Sequence, residues 1–439
     1  MPAGPRLPRL VQTAWFVARP IECLDYCHSR FGDYFTLRLI GLGTTVFVAD
    51  PAGVRAIFTG DPEILRAGES NAILEPLLGP HSVLLLDDQP HIRKRRLMMP
   101  AFHGERLQRY AEVIEEITLA EIKRWPIGEP FPVRPRMQAI TLDVIMRAVF
   151  GIDDASRLNE LRPRVARLVK MSMGPGAALL PFVGRARGGT RWTPWARFRR
   201  AVESVDEMLF AEISARHSDA GIGERSDILS LLMQARDADG LGMSNQELRD
   251  ELVTLLLAGH ETTATSCAWA VELLLRNPDA HQRFRESILA GDRAHVDAVI
   301  KETLRLRPVI PAVGRRFAAP LALAGHHVPV GTNVSPCIHL VHRRPDVYPE
   351  PDSFQPTRFL CNPPNSTEWI PFGGGTRRCV GAGFAALELR VVLSTILSCT
   401  NLILADTVPE TVERRAVVLV PRRGVRVVRL GEASTAPCG

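Results

Sequence analysis

The residue that points most clearly to chemistry is a cysteine in the loop FGGGTRRCVG, residues 372–381. Glycines 373–375 permit positive φ angles and let the backbone approach a bulky, flat group. Arg377 and Arg378 bring positive charge near Cys379, and such charge lowers the pKa of a thiol and favours the thiolate. A thiolate binds soft and borderline metals strongly. We therefore interpret Cys379 as a metal ligand, although a lone cysteine is more often a small buried apolar side chain.

The spacing of potential ligands limits which metal centre this can be. No second cysteine or histidine stands near Cys379 at the spacing of a tetrahedral zinc site. A single axial thiolate on a haem iron needs one cysteine only. The loop therefore favours a haem-thiolate centre.

A helix of unusual length is predicted over residues 244–276. Ser244 followed by Glu247 forms a capping-box pattern, and Asn277-Pro278 is a stop signal. At 1.5 Å per residue such a helix is ~50 Å long, enough to cross the molecule. A membrane-spanning role is excluded, because the GHETT interruption would put His260 and Glu261 at mid-bilayer.

The interruption AGHETT, residues 258–263, is the second candidate for chemistry. A buried Glu261 in a long apolar helix is costly unless it has a task. Gly259 lets a ligand approach the backbone, and Thr262 can widen the helix by bonding back to a carbonyl. We interpret this stretch as a groove for dioxygen and water.

These features together resemble the cytochrome P-450 family of haem-thiolate monooxygenases, in its soluble bacterial form. Phe372, Gly375, Arg377, Cys379 and Gly381 match the family pattern F-x-x-G-x-R-x-C-x-G. The resemblance implies haem b (iron protoporphyrin IX) with Cys379 as the axial ligand.

The resemblance also assigns roles to two other motifs. Glu302 and Arg305, which taken alone would be an exposed ion pair, match the family's E-x-x-R signature. Arg358 matches the arginine that completes a buried charge triad, although Thr357 stands where an acidic residue is commoner. In the AGHETT motif, Ala258 and Gly259 would border the haem, while Glu261 and Thr262 would relay protons.

Histidine and arginine side chains are expected on the two haem propionates, with three cationic groups balancing the two carboxylates. His91 and Arg95 are four apart and share a helix face in DDQPHIRKRRLMMPAF. By resemblance these two, with Arg377, bind the propionates. Arg315 aligns with a further ligand, but the adjacent Arg316 leaves the register open by one residue.

The expected fold is mainly α with a small β subdomain, the cytochrome P-450 fold, in one domain over 1–439. A β-rich part is expected at about 30–60 and 310–340, and a helical core at about 90–310 and 383–399. The Arg/Trp-rich segment 184–200 reads as an exposed loop. Helical periodicity covers 105–124, 137–150, 201–216, 226–236, 244–276 and 383–399.

The implied reaction inserts one oxygen atom of O2 into a hydrophobic small molecule, by hydroxylation or epoxidation. A fatty acid, terpenoid, steroid or apolar polyketide would suit a pocket built from residues 72–86, 171–184 and 309–313. Alternatives are a peroxide-driven peroxygenase, a rearrangement catalyst, and a non-catalytic haem-bound ligand carrier or sensor. The predicted pocket residues are Leu84, Leu255, Ile310, Ala312 and Val313.

Electrons are expected from a separate protein, since only 60 residues follow Cys379. We predict a ferredoxin-type donor, supplied by its reductase, on a basic face around Arg93, Lys94, Arg96 and Arg378.

Composition indicates the cellular compartment. The net charge is +6, and the eight cysteines are scattered without a CxxC pair, which favours a reducing cytoplasm. The apolar run at residues 10–18 is too short to span a membrane. We expect a cytoplasmic monomer that does not bind nucleic acid.

Overall fold

The computed structural model describes residues 1–102, 104, 106–173 and 193–432. Helices make up most of it. In chain order they are α1 Arg9–Ala18, α2 Pro20–Phe31, α3 Pro51–Thr59, α4 Ala67–Asn71, α5 Glu75–Leu78, α6 Asp88–Met98, α7 Arg106–Ile122, α8 Val133–Val144, α9 Ala155–Met173, α10 Pro194–His217, α11 Ile228–Gln234, α12 Asn245–Arg276, α13 Pro278–Leu289, α14 Arg293–Leu306, α15 Ile338–Val341, α16 Arg358–Cys361 and α17 Ala382–Cys399.

The strands are short and form four small sheets. They are β1 Tyr34–Leu39, β2 Gly43–Val48, β3 Leu65–Arg66, β4 Pro130–Pro132, β5 Arg315–Phe317, β6 Leu321–Leu323, β7 His326–Val328, β8 Asn333–Pro336, β9 Thr400–Leu404, β10 Val412–Arg415, β11 Val418–Pro421 and β12 Arg426–Glu432. The largest sheet has the order β1-β2-β8-β5-β3, and the others are β4-β12-β9, β10-β11 and β6-β7. The largest sheet joins the two regions predicted to be β-rich.

Strands β1 and β2 form an antiparallel hairpin, with Tyr34 opposite Val48 and Leu39 opposite Gly43. Gly41 and Gly43 take φ values of +88° and +79°, which glycine adopts without steric cost. Strand β8 adds in parallel to β2, and β5 follows antiparallel. Residues 315–317 are thereby fixed beside the N-terminal part of the chain.

The long helix α12 begins and ends where the sequence predicts. The Glu247 N–H donates to Ser244 Oγ (3.2 Å) and the Ser244 N–H donates to the Glu247 carboxylate (2.8 Å), which is a complete capping box. The helix stops at Asn277, before Pro278. It packs on α8, α10, α14 and α17, so nearly all of its side chains are buried.

Part of the loop predicted over 184–200 is helical. Residues 184–192 lie outside the described residues, but 194–200 form the first turns of α10. The reason is local, because Thr193 Oγ1 accepts from the Ala196 N–H (3.2 Å) as an N-cap and Pro194 occupies the first helical position. Phe198 then turns into the core.

Among the described residues, α17 is the one helix long and apolar enough to span a membrane. Its side chains Leu387, Leu393 and Ile396 are buried against other helices. Over half of it is inside the protein, as expected of a core helix.

Candidate functional site

The cysteine loop is shaped by glycines and by Phe58. Gly375 has φ +63°, and a Cβ placed there would lie 1.9 Å from the Phe58 carbonyl oxygen. A Cβ at Gly374 would likewise meet the Phe58 ring. Only glycine fits at this approach. The Cys379 N–H donates to the Phe372 carbonyl (3.0 Å) and closes the loop.

The Cys379 residue keeps accessible surface, yet protein surrounds its sulfur. Burial raises the pKa of the thiol above its ordinary value, although the Gly381 N–H and the charges of Arg95 and Arg378 each act to lower it. Arg378 lowers this pKa as expected, but in the protein alone desolvation outweighs it and the net shift is upward. A coordinated metal ion deprotonates its thiol ligand outright.

In the middle of α12, one face stays accessible while the residues around it are buried. Leu255, Ala258, Gly259 and Thr262 retain accessible surface, and their spacing places them on one side of the helix. The Thr262 hydroxyl donates to the Ala258 carbonyl (2.5 Å), as expected of a threonine that bonds back along its helix. A Cβ at Gly259 would meet Ile145 at an ordinary 3.6 Å, so packing within the chain does not require glycine there.

Glu261 lies on a different side of α12 from Thr262. Its carboxylate is buried, forms an ion pair with Arg134 and accepts a hydrogen bond from Gln138 (2.7 Å). Both partners come from α8. The sequence analysis missed them, although Arg134 and Gln138 are one turn apart and face α12 together. The expected pair of relay groups is thus split, with Thr262 accessible and Glu261 held away from it.

Three arginines, Arg95, Arg315 and Arg377, converge with His91 near the cysteine loop. Burial first, and then the charges of Arg377, Arg95 and Arg315, lower the pKa of His91 to about 3, so its imidazole is neutral. Burial and the charge of Arg377 lower the pKa of Arg315 to about 10. Desolvation also lowers the pKa of Arg95, which interacts with Cys379.

The cation cluster contacts one carboxylate in the described chain, Asp87, which accepts from Arg377. Asp87 also accepts from the N–H groups of Gly68 (2.8 Å) and Glu69 (2.9 Å). Arg316 points elsewhere, because it is exposed and lies 3.6 Å from Glu69. Of the two neighbouring arginines, Arg315 therefore belongs to the cluster.

The predicted charge triad is fully assembled. Arg305 donates to both Glu302 oxygens (2.7 and 2.9 Å), and Arg358 Nε donates to Glu302 Oε1 (3.1 Å). Neither Glu302 nor Arg305 has exposed surface. The Arg305 guanidinium also donates to the carbonyls of His342, Pro351 and Ser353, which ties α14 to the chain preceding the cysteine loop.

The segment before Leu84, a predicted pocket residue, is held by side chains of α12 that the sequence analysis did not identify. Three side chains of α12 hold residues 81–83: Asp250 accepts from the His81 N–H (3.0 Å), Glu251 accepts from the Val83 N–H (2.8 Å), and Thr254 donates to Ser82 (2.7 Å). Burial raises the pKa of Glu251 to about 8. These contacts fix the backbone next to Leu84, an exposed apolar residue.

The remaining pocket candidates are dispersed. Ile310 packs beside Val309 and the β10-β11 sheet, whereas Ala312 and Val313 pack on the largest sheet and its surroundings. All three are partly buried. The segment 171–184 lies outside the described residues beyond 173.

The matching family model is described as Cytochrome P450 and covers residues 1–428. The chain belongs to the cytochrome P450 family. It is 42% identical over 433 residues to "Putative cytochrome P450 135B1" of Mycobacterium tuberculosis, covering 97% of this chain and 91% of that protein. It is 39% identical over 429 residues to "Putative cytochrome P450 138" of the same organism, covering 98% and 96%.

Solved cytochrome P450 structures share the fold. "Retinoic acid bound cyanobacterial CYP120A1" aligns with a TM-score of 0.86 at 25% identity, covering 99% of both chains. "Crystal structure of cytochrome P450DA heme domain" aligns at 0.84 and 21% identity, covering 98% of this chain and 97% of that one. The mainly α fold with small sheets is thereby confirmed.

Cytochromes P450 carry haem b on a cysteine thiolate, and the chain is a monooxygenase of this family. The residues present fit such a group. A cysteine residue that keeps accessible surface suits the iron, and a cluster of buried and half-buried arginines with Asp87 as its ion-pair partner suits the anionic edge of the haem. Arg95 links the two, because it interacts both with Cys379 and with His91.

The predicted docking face for a cytochrome P450 electron donor needs correction. Arg93 donates to Asp237 (2.6 Å), and Lys94 is buried with its Nζ 2.6 Å from Glu247. Although burial opposes it, the hydrogen bond from Lys94 contributes to lowering the pKa of Glu247 to about 2. Both cations serve the start of α12. Lys94 is therefore wrong as a docking residue because it is buried, and Arg93 is already paired although a third of its side chain is exposed. Arg96 and Arg378 are the fully exposed cations of the predicted face.

Proposed function

We propose that the chain inserts one oxygen atom of O2 into a hydrophobic small molecule, by hydroxylation or epoxidation, with electrons from a ferredoxin-type donor and its reductase. It would act as a single-domain cytoplasmic monomer. The observation that carries the proposal is the accessible stripe of α12, where Thr262 places one hydroxyl beside Leu255 and Ala258. Such a surface can hold an apolar substrate and deliver protons at one point.

We assign the cofactor-binding roles as follows. Cys379 would ligate the haem iron, and the group supplies oxygen activation when bound. Arg95, Arg315 and Arg377 would neutralise the propionates, and His91 would bind them through a hydrogen bond. Neutral His91 can donate a hydrogen bond from its N–H without adding charge. The buried triad Glu302, Arg305 and Arg358 would keep the chain before Cys379 in place.

The proton path has to connect two side chains that face different ways. Consecutive residues of a helix are about 100° apart, so Glu261 has to leave Arg134 or act through water to reach Thr262. The Thr262 oxygen donates its hydrogen to Ala258 and keeps its lone pairs for accepting a proton. We assign Thr262 to proton delivery and Glu261 to its supply.

The ion pair of Glu261 with Arg134 also supports a second candidate, a peroxide-driven peroxygenase. Peroxide brings both oxygen atoms and its own protons, so that reaction does not need the acid in the groove. A non-catalytic carrier or a rearrangement catalyst delivers no protons to oxygen, so it would need neither Glu261 nor the Thr262 hydroxyl.

The substrate class follows from the apolar lining. Leu255 and Ala258 are accessible on α12, and Leu84 is exposed on the segment fastened by Glu251. The solved relative named as binding retinoic acid holds a long apolar molecule with one carboxylate. A terpenoid, fatty acid, steroid or apolar polyketide is the class we propose.

The test uses purified protein with a ferredoxin, its reductase and NADPH, and a hydrophobic substrate selected by its spin-state shift. Under 18O2 the product should gain one labelled oxygen. Thr262→Val should lower the product formed per NADPH by roughly tenfold or more. Thr118→Val is the matched control, because the buried Thr118 side chain makes the same hydrogen bond back along its helix, α7 (2.7 Å to the Ile114 carbonyl).

Two outcomes would refute the monooxygenase proposal. If peroxide alone supports full turnover and Thr262→Val is unaffected, the protein is a peroxygenase. If neither oxidant yields product from any ligand that binds, it is a carrier.

The donor site is proposed at Arg96 and Arg378, the two exposed cations of the original set. Charge reversal at both should slow reduction, with the largest effect at low salt. Arg283→Glu is the control at an exposed arginine of α13. Equal rates in all variants would refute this docking site.

A further inference from the structure

Helix α1 exposes a row of apolar side chains to solvent. Leu10 is 68% exposed, and Val11 and Val17 are each 46% exposed. Ala14 and Ala18 complete the stripe at helical spacing. Gln12 and Phe16 face the protein instead. A surface helix normally exposes polar residues opposite its buried apolar side. Helix α1 buries Phe16 in the core and packs Trp15 beside it, yet its outer side is apolar as well.

Two neighbours extend the stripe beyond α1. Ile40, in the β1–β2 turn, is 42% exposed, and its N–H donates to Thr13 of α1 (2.9 Å). Tyr26 of α2 is half exposed, with its ring centroid 5.2 Å from that of Trp15. We call the whole surface the α1 patch. Its members are Leu10, Val11, Ala14, Val17, Ala18, Tyr26 and Ile40.

Arginines border the α1 patch. Arg9 is exposed and donates to the Leu39 carbonyl (2.8 Å), next to Ile40. Arg38 lies on β1, where its N–H donates to Gln12 of α1, and its side chain is exposed. Within residues 1–102, 104, 106–173 and 193–432, no carboxylate forms an ion pair with Arg6, Arg9 or Arg38. Arg6 is also exposed, three residues before the start of α1. On the side of α2, the exposed carboxylates Glu22 and Asp25 pair with Arg19 and His339. Of the described residues at the border, Arg6, Arg9 and Arg38 are therefore the unpaired charges, and they are positive.

The size and charge of the patch select its occupant. A helix of ten residues is ~15 Å long, so its one face offers far less than the ~800 Å² per partner of a stable dimer. Two copies would also bring their arginine borders together. An apolar helix face flanked by arginines and by a Trp–Tyr pair has the composition of a helix lying in an anionic membrane surface.

We propose that the α1 patch docks the protein on an anionic lipid surface, with α1 lying in the interface and Arg6, Arg9 and Arg38 over the headgroups. This is peripheral contact without a spanning segment. It is independent of the reaction proposed above, because no residue of the patch belongs to the candidate haem site.

The experiment is co-sedimentation of the haem-loaded protein with vesicles of equal parts phosphatidylglycerol and phosphatidylcholine. Wild type should bind these vesicles, and high salt should weaken the binding. Leu10→Glu/Val17→Glu should reduce partitioning roughly tenfold or more. Each of Arg6→Gln and Arg38→Gln should reduce it about fivefold. Leu289→Glu is the matched control, since Leu289 is 64% exposed at the end of α13, outside the patch.

Several results would overturn the proposal. Absence of wild-type binding would do so, as would equal binding to pure phosphatidylcholine. Binding that Leu10→Glu/Val17→Glu leaves unchanged would remove α1 from the contact. If wild type is a dimer by light scattering and this variant is a monomer, the patch is a self-association surface instead. An unchanged haem spectrum in each variant excludes unfolding as the cause.

Discussion

Glu302→Gln tests the buried charge triad with the smallest change in shape. The carboxylate accepts from Arg305 through both oxygens, and from Arg358 Nε and the Gln355 N–H through Oε1. Glutamine keeps the size but leaves two guanidinium groups without counter-charge, one of them with no exposed surface. Removing one partner of a buried pair costs ~3–5 kcal/mol.

The magnitude converts into a measurable melting shift. Unfolding entropy is about 2.1 cal/mol/K per residue, or roughly 0.9 kcal/mol per degree for this chain, so Glu302→Gln should lower the melting temperature by ~3–5 °C. The matched control is Glu69→Gln. Glu69 pairs with Arg66 at 2.8 Å but is 42% exposed, so its loss should cost under ~1 kcal/mol.

The assay is near-UV circular dichroism during heating, on both variants and wild type. Because Arg305 and Arg358 hold the chain that precedes the cysteine loop, haem retention should fall with Glu302→Gln at temperatures where wild type is intact. A melting shift for Glu302→Gln no larger than that for Glu69→Gln would refute the reasoning.

Two further predictions concern the loop and a buried acid. Gly375→Ala should lower the free energy of unfolding by more than ~1 kcal/mol and weaken haem retention, because φ is +63° and the new Cβ would lie 1.9 Å from the Phe58 carbonyl oxygen. Gly291→Ala is the control, since Gly291 has φ +67° but no atom near its Cβ position, so only the cost of the backbone conformation applies. Equal urea midpoints for the two variants would contradict a clash at Gly375. Burial raises the pKa of Glu388 to about 8, so the unfolded chain loses this proton first and wild-type stability should fall by up to ~3–5 kcal/mol as pH rises from about 4.5 to 8. Glu388→Gln should reduce this pH dependence, measured by urea unfolding at pH 5 and 8.5. If wild type and Glu388→Gln lose the same free energy of unfolding between the two pH values, the buried Glu388 is not the cause.

Local signals predicted much of the architecture. The Ser244–Glu247 capping box and Asn277-Pro278 gave both ends of α12, because these interactions lie within a few residues. Glu302 and Arg305 are likewise one helical turn apart. The start of α10 at Pro194 was also readable from Thr193 and Pro194, but the arginines and glycines around them favoured a loop.

Long-range contacts account for what the sequence analysis missed. Lys94 is an ordinary member of a basic run until α6 packs on the start of α12, 153 residues away, and buries it against Glu247. The direction of Glu261 depends on Arg134 and Gln138 of α8, which no spacing within AGHETT reveals. The raised pKa of Cys379 is also a packing effect, because desolvation depends on the whole surrounding fold.

The most direct test of the central claim is the visible spectrum of the reduced protein under carbon monoxide. Wild type should show the strongly red-shifted Soret band of a thiolate-ligated haem. Cys379→Ser should lose it, while Cys361→Ser, at an exposed thiol of α16, should keep it. A red-shifted band that survives Cys379→Ser, or a band typical of histidine ligation in wild type, would contradict the assignment of Cys379 as the haem ligand.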